Sequence, residues 1–243
     1  MPDMIYAEIL AGGSGTRMGN TEMPKQFLMI GDKPIIIHTL EMFLLNTRFD
    51  KVIVVTPKSW IQHTNDLIVK YLSSEVIDRI CVCEGGADRN ESIMSGIRYI
   101  EANFGITDED IIVTHDAVRP FLTHRIIEEN VEMALKFGAT DTVVPAFDTI
   151  ISSKDGLMVT DIPRRDQMYQ GQTPQSFNIK KLVSLYESLS SEEKEILTEA
   201  AKIFVVKGQP VKLVQGEVFN TKITTQYDLK IANALIKGCR HDK

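Results

Sequence analysis

The chain has 243 residues, of which 43% are hydrophobic and 25% charged, and this is the composition of a globular protein. A chain of this length can bury about three quarters of its unfolded surface, so we expect a single domain with one core over residues 1–243. The net charge of −6 and the absence of any run of Lys or Arg argue against a nucleic acid or an anionic membrane as a partner.

Short apolar runs alternate with longer amphipathic stretches over the first 145 residues. The short runs are mostly β-branched and predict strands at Ile5–Leu10, Val52–Thr56, Ile80–Cys83, Ile111–Thr114 and Thr142–Pro145. The amphipathic stretches predict helices near Ile35–Leu45, Trp60–Leu72, Glu91–Phe104 and Ile126–Phe137. Asp88 and Glu91 have the spacing of an N-cap and its capping-box partner at the start of the third of these helices. This alternation predicts an α/β fold with a doubly wound, mostly parallel sheet.

A protruding arm is predicted after Pro145, where the alternation stops. Residues 146–168 contain the turn signal Asp155-Gly156, which predicts an antiparallel excursion with these two residues at a hairpin tip. Such an arm cannot bury both of its faces by itself. We therefore expect it to pack on a second subunit, which implies a homodimer.

The last part of the chain returns to regular patterns. Helices are predicted at Lys180–Leu189 and Glu192–Val205, and a strand at Val211–Val214. A final helix is predicted from Thr225, which forms the start of a capping box with Asp228.

The cysteines and the first residues bear on the compartment. Cys81, Cys83 and Cys239 have neither the even count of a disulfide framework nor the spacing of a zinc site, so reduced thiols are expected. Residues 1–4 lack a basic segment, and Ile5–Leu10 is too short for a signal or membrane segment. These features predict a cytoplasmic protein.

A glycine-rich loop follows the first predicted strand, with the sequence AGGSGTRMG over residues 11–19. Glycines at this place let backbone N–H groups approach phosphates closely, and Arg17 and Lys25 flank the loop with positive charge. The spacing of Gly13, Gly15 and Gly19 differs from that of the dinucleotide fingerprint, and no Lys follows directly as in the P-loop. The loop therefore predicts a triphosphate site of another kind.

This loop, followed by Pro24-Lys25, resembles the signature of the sugar-phosphate nucleotidyltransferases. The resemblance extends over nearly the whole chain. Four segments are similar to motifs of the cytidylyltransferase branch of this family: GGADRNES at 85–92, HDAVRP at 115–120, TPQ at 173–175 and NTKIT at 220–224. It implies a Rossmann-like nucleotidyltransferase fold. The implied reaction joins CMP from CTP to the phosphate of a small sugar or polyol phosphate and releases pyrophosphate.

The resemblance also implies the site residues. Nucleotide binding is expected at Leu10, Ala11, Gly12, Gly13, Ser14, Gly15, Gly86, Arg89, Ser92 and Ala117. Acceptor binding is expected at Arg119, Thr149, Arg165, Thr173 and Lys222, with Arg164 as an alternative to Arg165. Thr149 and Arg165 belong to the arm and are expected to reach the site of a neighbouring subunit.

Chemistry supports a catalytic role for two cations and a metal-binding role for one carboxylate. A phosphate monoester has a second pKa of about 6 and is mostly dianionic at neutral pH, so the attacking phosphate needs no general base. Positioning and electrostatic stabilisation are then the main contributions, for which Arg17 and Lys25 are the candidates. Asp116 follows a predicted strand and is expected to hold Mg²⁺ together with the triphosphate, the alternatives being a helix cap or a partner for Arg119. The adjacent His115 is expected to be structural.

The acceptor is predicted from details within the family. Gly12 in the sequence AGG, Val118 in place of Ala, and the stretches 169–177 and 224–232 resemble cytidylyltransferases that act on D-ribitol 5-phosphate. This resemblance implies the synthesis of CDP-ribitol for cell-wall teichoic acid. The alternative acceptor is 2-C-methyl-D-erythritol 4-phosphate, the substrate of related enzymes of isoprenoid synthesis. A non-catalytic nucleotide-binding protein is disfavoured because Arg17, Lys25, Asp116 and Lys222 are all present.

Overall fold

The β-branched apolar runs form the strands of one central sheet. The structure is a computed structural model that describes residues 4–13 and 23–241, without the side chains of 239–241. The strands are β1 (Ile5–Leu10), β2 (Met29–Ile30), β3 (Lys33–Pro34), β4 (Lys51–Thr56), β5 (Ile80–Glu84), β6 (Ile111–Asp116), β7 (Ala139–Pro145), β8 (Tyr169–Asn178) and β9 (Lys212–Gln215). Seven of them form the sheet in the order β5-β4-β1-β6-β8-β7-β9, and β2 and β3 form a separate antiparallel pair.

The sheet is mostly parallel, as the sequence predicts. Strand β1 pairs in parallel with β4 and β6, and the pairs β4–β5 and β7–β9 are also parallel. Only β8 runs antiparallel to its neighbours β6 and β7. The sequence patterns predict no element at β8, because its sequence YQGQTPQSFN lacks the apolar run that marks the other central strands.

The helices lie between the strands at nearly the predicted places. They are α1 (Ile35–Leu44), α2 (Ile61–Tyr71), α3 (Ser74–Ile77), α4 (Arg89–Phe104), α5 (His124–Phe137), α6 (Ile179–Glu187), α7 (Ser191–Glu195), α8 (Ala201–Val206) and α9 (Gln226–His241). Within the described parts of the chain, none of these helices has the length and hydrophobicity that crossing a bilayer requires.

The prediction of one helix over Glu192–Val205 is wrong, because the structure has two helices there, α7 and α8. A capping box formed by Ser190 and Glu193 starts α7. In the connection between the two helices, the Glu199 carboxylate accepts a hydrogen bond of 3.0 Å from Gln175 Nε2 of β8. This contact ties the connection to the sheet.

Both faces of the sheet are covered, and this makes the fold doubly wound. In β1, Tyr6 packs in a cluster with side chains of α4, α6 and α8. Its neighbours Ala7 and Ile9 pack in another cluster with α1, α2 and α5. Because successive side chains of a strand point to opposite faces, the apolar run of β1 supplies both layers of the core.

The capping predictions hold with one change. At α9, the Thr225 and Asp228 side chains each accept a hydrogen bond from the other's backbone N–H, at 3.2 and 2.8 Å, as a capping box requires. At α4, the Asp88 carboxylate accepts from the Glu91 N–H at 2.8 Å. The Glu91 carboxylate, however, accepts from the N–H of Ala87, one residue before the N-cap. The cap is therefore present, but its reciprocal half is displaced.

The arm leaves the sheet between β7 and β8. It contains one antiparallel bridge, between Ser152 and Asp161. At its tip Gly156 has a φ of +75°, and the Asp155 carboxylate accepts hydrogen bonds from the N–H groups of Leu157 and Met158 at 2.8 and 2.9 Å. The predicted hairpin tip is therefore present, with one bridge in place of a paired ladder.

A row of polar side chains crosses the buried centre of the sheet. Register partners in adjacent strands place Glu8 beside Thr114, Thr114 beside Gln175, and Gln175 beside Asp141. The Glu8 carboxyl is fully buried, neither of its oxygens has a hydrogen-bond partner among the described residues, and it lies against Gly96 of α4, where an added Cβ would be 1.8 Å from Oε1. Burial raises the pKa of Glu8 well above its ordinary value of 4.5, and the charge of Arg89 only partly opposes this shift.

We expect the substitution Glu8→Gln to stabilise the protein at alkaline pH. Because the pKa of Glu8 is raised on folding, the folded chain keeps a proton that the unfolded chain loses above pH 4.5, and stability falls as the pH rises through the raised pKa. Glutamine has nearly the same shape and does not ionise. The stability of the variant relative to wild type should therefore increase between pH 4.5 and pH 8, by about 1.4 kcal/mol for each pKa unit of the shift within this range. Urea unfolding across this range measures it, and a difference independent of pH would contradict the expectation.

Candidate active site

The largest concentration of predicted site residues lies at the carboxyl ends of β1 and β6. Leu10 and Asp116 are register partners at these ends, where open α/β sheets bind ligands. A cavity of about 250 Å³ opens there. It is lined by Leu10, Ala11, Gly12, Gly13, Lys25, Gln26, Gly86, Ala87, Asp88, Arg89, Ser92, Asp116, Val118 and Lys222.

Two glycine segments form one wall of the cavity. Gly12 and Gly13 follow β1, and a Cβ at Gly13 would lie 3.5 Å from Cε of Lys25. At Gly86 a Cβ would lie 2.4 Å from the Cβ of Glu91, so only glycine fits between β5 and α4. The N–H of Gly86 donates to Ser92 Oγ at 3.2 Å. The predicted residues Ser14, Gly15 and Arg17 lie outside the described residues.

Lys25 is held beside the glycines by the turn in which it lies. Residues Lys25–Phe27 form one turn of 3-10 helix, and Lys25 is only 8% exposed. The next side chain, that of Gln26, donates from Nε2 to the carbonyl of Ala11 at 2.6 Å. This bond fixes the turn to the end of β1, and Lys25 consequently lies on the cavity wall.

Three cations surround the carboxylate of Asp116. Arg89 Nη1 contacts Asp116 Oδ1, while Arg119 Nε and Lys222 Nζ lie 3.2 and 3.0 Å from Oδ2. The Asp116 side chain is only 6% exposed. The alternative interpretation of Asp116 as a partner for Arg119 is thus correct for this structure, and it extends to two further cations.

The charges at this point favour a polyanionic ligand. Burial alone would raise the pKa of Asp116, but the charges of Arg89, Lys222 and Arg119 hold it well below its ordinary range. The carboxylate is therefore ionised and neutralises one of the three positive charges. The excess positive charge lies on the cavity wall and attracts phosphate groups.

His115 and Thr173 form a buried support behind Asp116. The Asp116 N–H donates to Thr173 Oγ1 at 3.2 Å, and the Thr173 hydroxyl lies 2.9 Å from His115 Nδ1. His115 Nε2 lies 3.1 Å from the Arg119 carbonyl, so the consistent tautomer carries its proton on Nε2. Burial lowers the pKa of His115 to about 4, and the ring is neutral. His115 thus has the expected structural place, and Thr173 lies behind the carboxylate, not on the cavity wall.

Four other predicted residues do not line the cavity, namely Arg119, which contacts Asp116, and the three that follow. Ala117 is 1% exposed, and its N–H is already bonded to the Leu10 carbonyl at 3.0 Å. Thr149 is exposed on the arm. Arg165 donates to the Phe147 carbonyl at 3.1 Å. Arg164, the alternative to Arg165, is paired with Asp166 at 2.6 Å, so this single chain brings neither arginine to the cavity.

Sequence reasoning missed several residues that shape the site. Gln26, Ala87, Asp88 and Val118 line the cavity; the last three lie within motifs that the resemblance covers, and Gln26 directly follows Pro24-Lys25. Gln172 and Asn220 are buried and carry hydrogen bonds of the segment that leads to Lys222. Asn220 opens the motif NTKIT and Gln172 lies in the stretch 169–177, so the resemblance covered both positions without indicating that their side chains bond to each other.

A doubly wound sheet with a glycine loop and a cationic cavity at its carboxyl edge is the arrangement of a nucleotidyltransferase. Comparison with known proteins defines the family. A family model described as IspD, 2-C-methyl-D-erythritol 4-phosphate cytidylyltransferase, matches residues 5–238. The chain belongs to this family, and it is a cytidylyltransferase that uses CTP.

Solved structures of relatives agree with this assignment. The 4-diphosphocytidyl-2C-methyl-D-erythritol synthase of Anaerococcus prevotii is 27% identical with a TM-score of 0.77, covering 97% of this chain and 99% of that chain. The 2-C-methyl-D-erythritol 4-phosphate cytidylyltransferase of Francisella tularensis is 27% identical with a TM-score of 0.78, covering 96% and 99%. That of Thermus thermophilus is 25% identical with a TM-score of 0.72, covering 96% and 99%. The nucleotidyltransferase fold predicted from the sequence is confirmed.

We expect the substitution Asp116→Asn to destabilise the ligand-free protein by about 3 kcal/mol, the lower end of the range for buried ion pairs, because it leaves three partly buried cations without their counter-charge. Urea unfolding at neutral pH measures this loss. Asp108→Asn is the matched control, since Asp108 pairs with Lys180 on the surface and its side chain is 82% exposed. A loss at Asp116 no larger than that at Asp108 would show that solvent screens the three cations.

Proposed function

We propose that the chain transfers CMP from CTP to the phosphate of a small polyol phosphate and releases pyrophosphate. The observation that supports this most directly is the group of three cations around Asp116, beside Lys25 and the glycines that follow β1. Two further properties of the protein stay predictions from the sequence: that residues 1–243 form one nucleotidyltransferase domain, and that the protein is located in the cytoplasm.

The site residues have separate parts in this reaction. Lys25 and Arg89 line the cavity with the glycines and are suited to binding the phosphates of CTP, where charge increases as pyrophosphate leaves. Lys222 and Arg119 approach Asp116 from the other side and are suited to the acceptor phosphate. The attacking phosphate is already an anion, so the chemistry depends on placing two anionic groups in line. Arg17 stays a predicted contributor.

The donor set of the cavity fits Mg²⁺. A carboxylate offers about four acceptor positions, and within residues 4–13 and 23–241 Asp116 Oδ1 has Arg89 as its cationic partner, so Oδ1 can accept a metal as well. Asp116 and the phosphates of CTP would hold the ion, which prefers oxygen ligands and retains several waters. When bound, Mg²⁺ supplies further neutralisation of the phosphate charge.

Two acceptors are compatible with this proposal. The compared structures of known relatives are named for the methylerythritol phosphate reaction, and this supports 2-C-methyl-D-erythritol 4-phosphate better than D-ribitol 5-phosphate. Features of this chain keep D-ribitol 5-phosphate as the second candidate. Val118, which lines the cavity, and residues 169–177, which supply most of β8, resemble the ribitol-specific enzymes.

Pyrophosphate release with CTP and Mg²⁺ tests both acceptors side by side. We expect turnover with one of the two compounds, and that compound identifies the pathway as isoprenoid or teichoic acid synthesis. In the same assay Lys25→Ala should reduce turnover by about 10²–10³-fold, the usual loss for a donor at a developing charge. Absence of pyrophosphate release with both acceptors from a folded protein would refute the proposal, and full activity of Lys25→Ala would remove Lys25 from it.

We also propose that the active form is a homodimer built through the arm. Large apolar side chains of the arm are exposed, among them Leu157 at 86%, Met158 at 69% and Val159 at 59%. An apolar surface of this kind marks an interaction site. A second copy that covers it would bring Thr149 and Arg165, or Arg164, close to the partner's acceptor site.

Charged substitutions in the arm test the dimer. Leu157→Asp combined with Val159→Asp should convert the dimer to a monomer in sedimentation equilibrium, because each new carboxylate would be desolvated in the interface. Leu45→Asp is the control, since Leu45 is 74% exposed at the end of α1. Acceptor kcat/KM should fall in the arm variant and not in the control. A monomeric wild-type protein that is fully active would contradict the arm's role.

A further inference from the structure

The segment that carries Lys222 has no regular structure of its own. It runs from Gly216, directly after β9, to Lys222, before α9, and contains neither helix nor strand. At its end Lys222 Nζ lies 3.0 Å from Asp116 Oδ2. A segment without a backbone ladder is positioned by individual hydrogen bonds, so the side chains that make these bonds determine where Lys222 lies.

Gln172 of β8 bonds to this segment at two points. Its Nε2 donates to the Glu217 carbonyl at 2.8 Å, and its Oε1 accepts from Asn220 Nδ2 at 3.3 Å. Asn220 Nδ2 also donates to the Thr173 carbonyl at 2.8 Å. Gln172 and Asn220 are 7% and 0% exposed, so water does not readily replace these bonds.

The backbone of the segment lies unusually close to the Gln172 amide. A Cβ at Gly216 would be 2.3 Å from Gln172 Oε1 and 3.0 Å from a methyl group of Thr142. The φ of Gly216 is not in the positive region, so a larger residue at this position would be opposed by its contact with the Gln172 amide and not by backbone conformation. The Gly216 N–H is bonded to the Val143 carbonyl at 2.8 Å, which holds the start of the segment on the sheet.

The carbonyl of Asn220 links the segment to the cations of the site. It accepts a hydrogen bond of 2.8 Å from Arg119 Nη1, while Arg119 Nε contacts Asp116. Beyond Lys222, the Ile223 N–H is bonded to the Val118 carbonyl at 2.9 Å. The segment is thus fixed on both sides of Lys222, by Gln172 and Asn220 before it and by Val118 after it.

We propose that Gln172 is a positioning residue for Lys222. Its amide holds the segment from Gly216 to Asn220 against β8, and Lys222 is thereby kept on Asp116 at the acceptor side of the cavity. Gln172 is not among the described residues that line the cavity, so its effect on the reaction passes through Lys222. This inference rests on the acceptor role of Lys222 in the proposed function.

Chemical labelling tests the position of Lys222 without any assay of activity. In Gln172→Met, which keeps the length of the side chain and removes the amide, acylation of Lys222 measured by mass spectrometry should be about tenfold faster. The matched control is Gln175→Met, since Gln175 is a buried glutamine of the same strand that bonds to Asp141 and Glu199. An unchanged rate in Gln172→Met, or an equal increase in the control, would overturn the inference.

Gly216→Ala provides a second variant if Gln172→Met does not fold. The added methyl group would separate the segment from the Gln172 amide, whichever of the two moves, while the sequence of β8 stays unchanged. Faster labelling of Lys222 is again expected. A labelling rate equal to that of wild type would show that the amide contact does not position Lys222.

A double-mutant cycle connects this position to the reaction. Gln172→Met should reduce acceptor kcat/KM by about tenfold in the wild-type background, and much less in the Lys222→Ala background, because a residue that acts through Lys222 has nothing left to position. Losses that multiply in the double variant would contradict the proposal. If neither acceptor is turned over, the proposed function fails, and the labelling experiment still decides the role of Gln172.

Discussion

The contact of one buried carboxylate with three cations is the interaction on which the rest of the site depends. Asp116 lies at the end of β6, and its partners come from α4, from the loop after β6 and from the segment after β9. An unpaired carboxylate in this place would be strongly destabilising, so each of these segments must be held where its cation reaches Asp116. The same contact gathers the positive charge that a triphosphate and a second phosphate require. Stability of the ligand-free protein and affinity for anions are therefore properties of one group of side chains.

Much of the fold could be predicted because the layers follow from local patterns. The β-branched run Val52–Thr56 is buried on both faces of the sheet, and its composition alone indicates a strand. Strand β8 has no such pattern, since most of its buried side chains are polar and bond to other parts of the chain: Thr173 to His115 of β6, Gln175 to Asp141 of β7, and Ser176 to Asn130 of α5. The break between α7 and α8 likewise coincides with a long-range contact, since Glu199 in the connection bonds to Gln175 of the sheet. Contacts between distant parts of the chain are present in both cases.

The candidate site could also be predicted in part, where its residues follow from the order of the strands. Lys25, Arg89 and Asp116 follow parallel strands, and the carboxyl ends of such strands meet at one edge, so their convergence follows from the topology. The convergence of Gln172 and Asn220 does not, because it depends on a bond between residues 48 positions apart in the chain. The arm residues Thr149 and Arg165 do not reach the cavity of their own chain. Ser14, Gly15 and Arg17 lie outside the described residues. For these positions the predictions rest on family resemblance.

The contact between Glu8 and Gly96 has a consequence for the history of this sequence. The carboxyl oxygen of Glu8 occupies the space that a side chain at position 96 would need. A lineage that acquires alanine or serine at position 96 must therefore first, or at the same time, replace Glu8 with a shorter residue. The two positions should consequently covary among homologues, with glycine at 96 wherever a glutamate or glutamine stands at 8. The order of substitutions along the lineage is then constrained by packing alone, independently of any selection on catalysis.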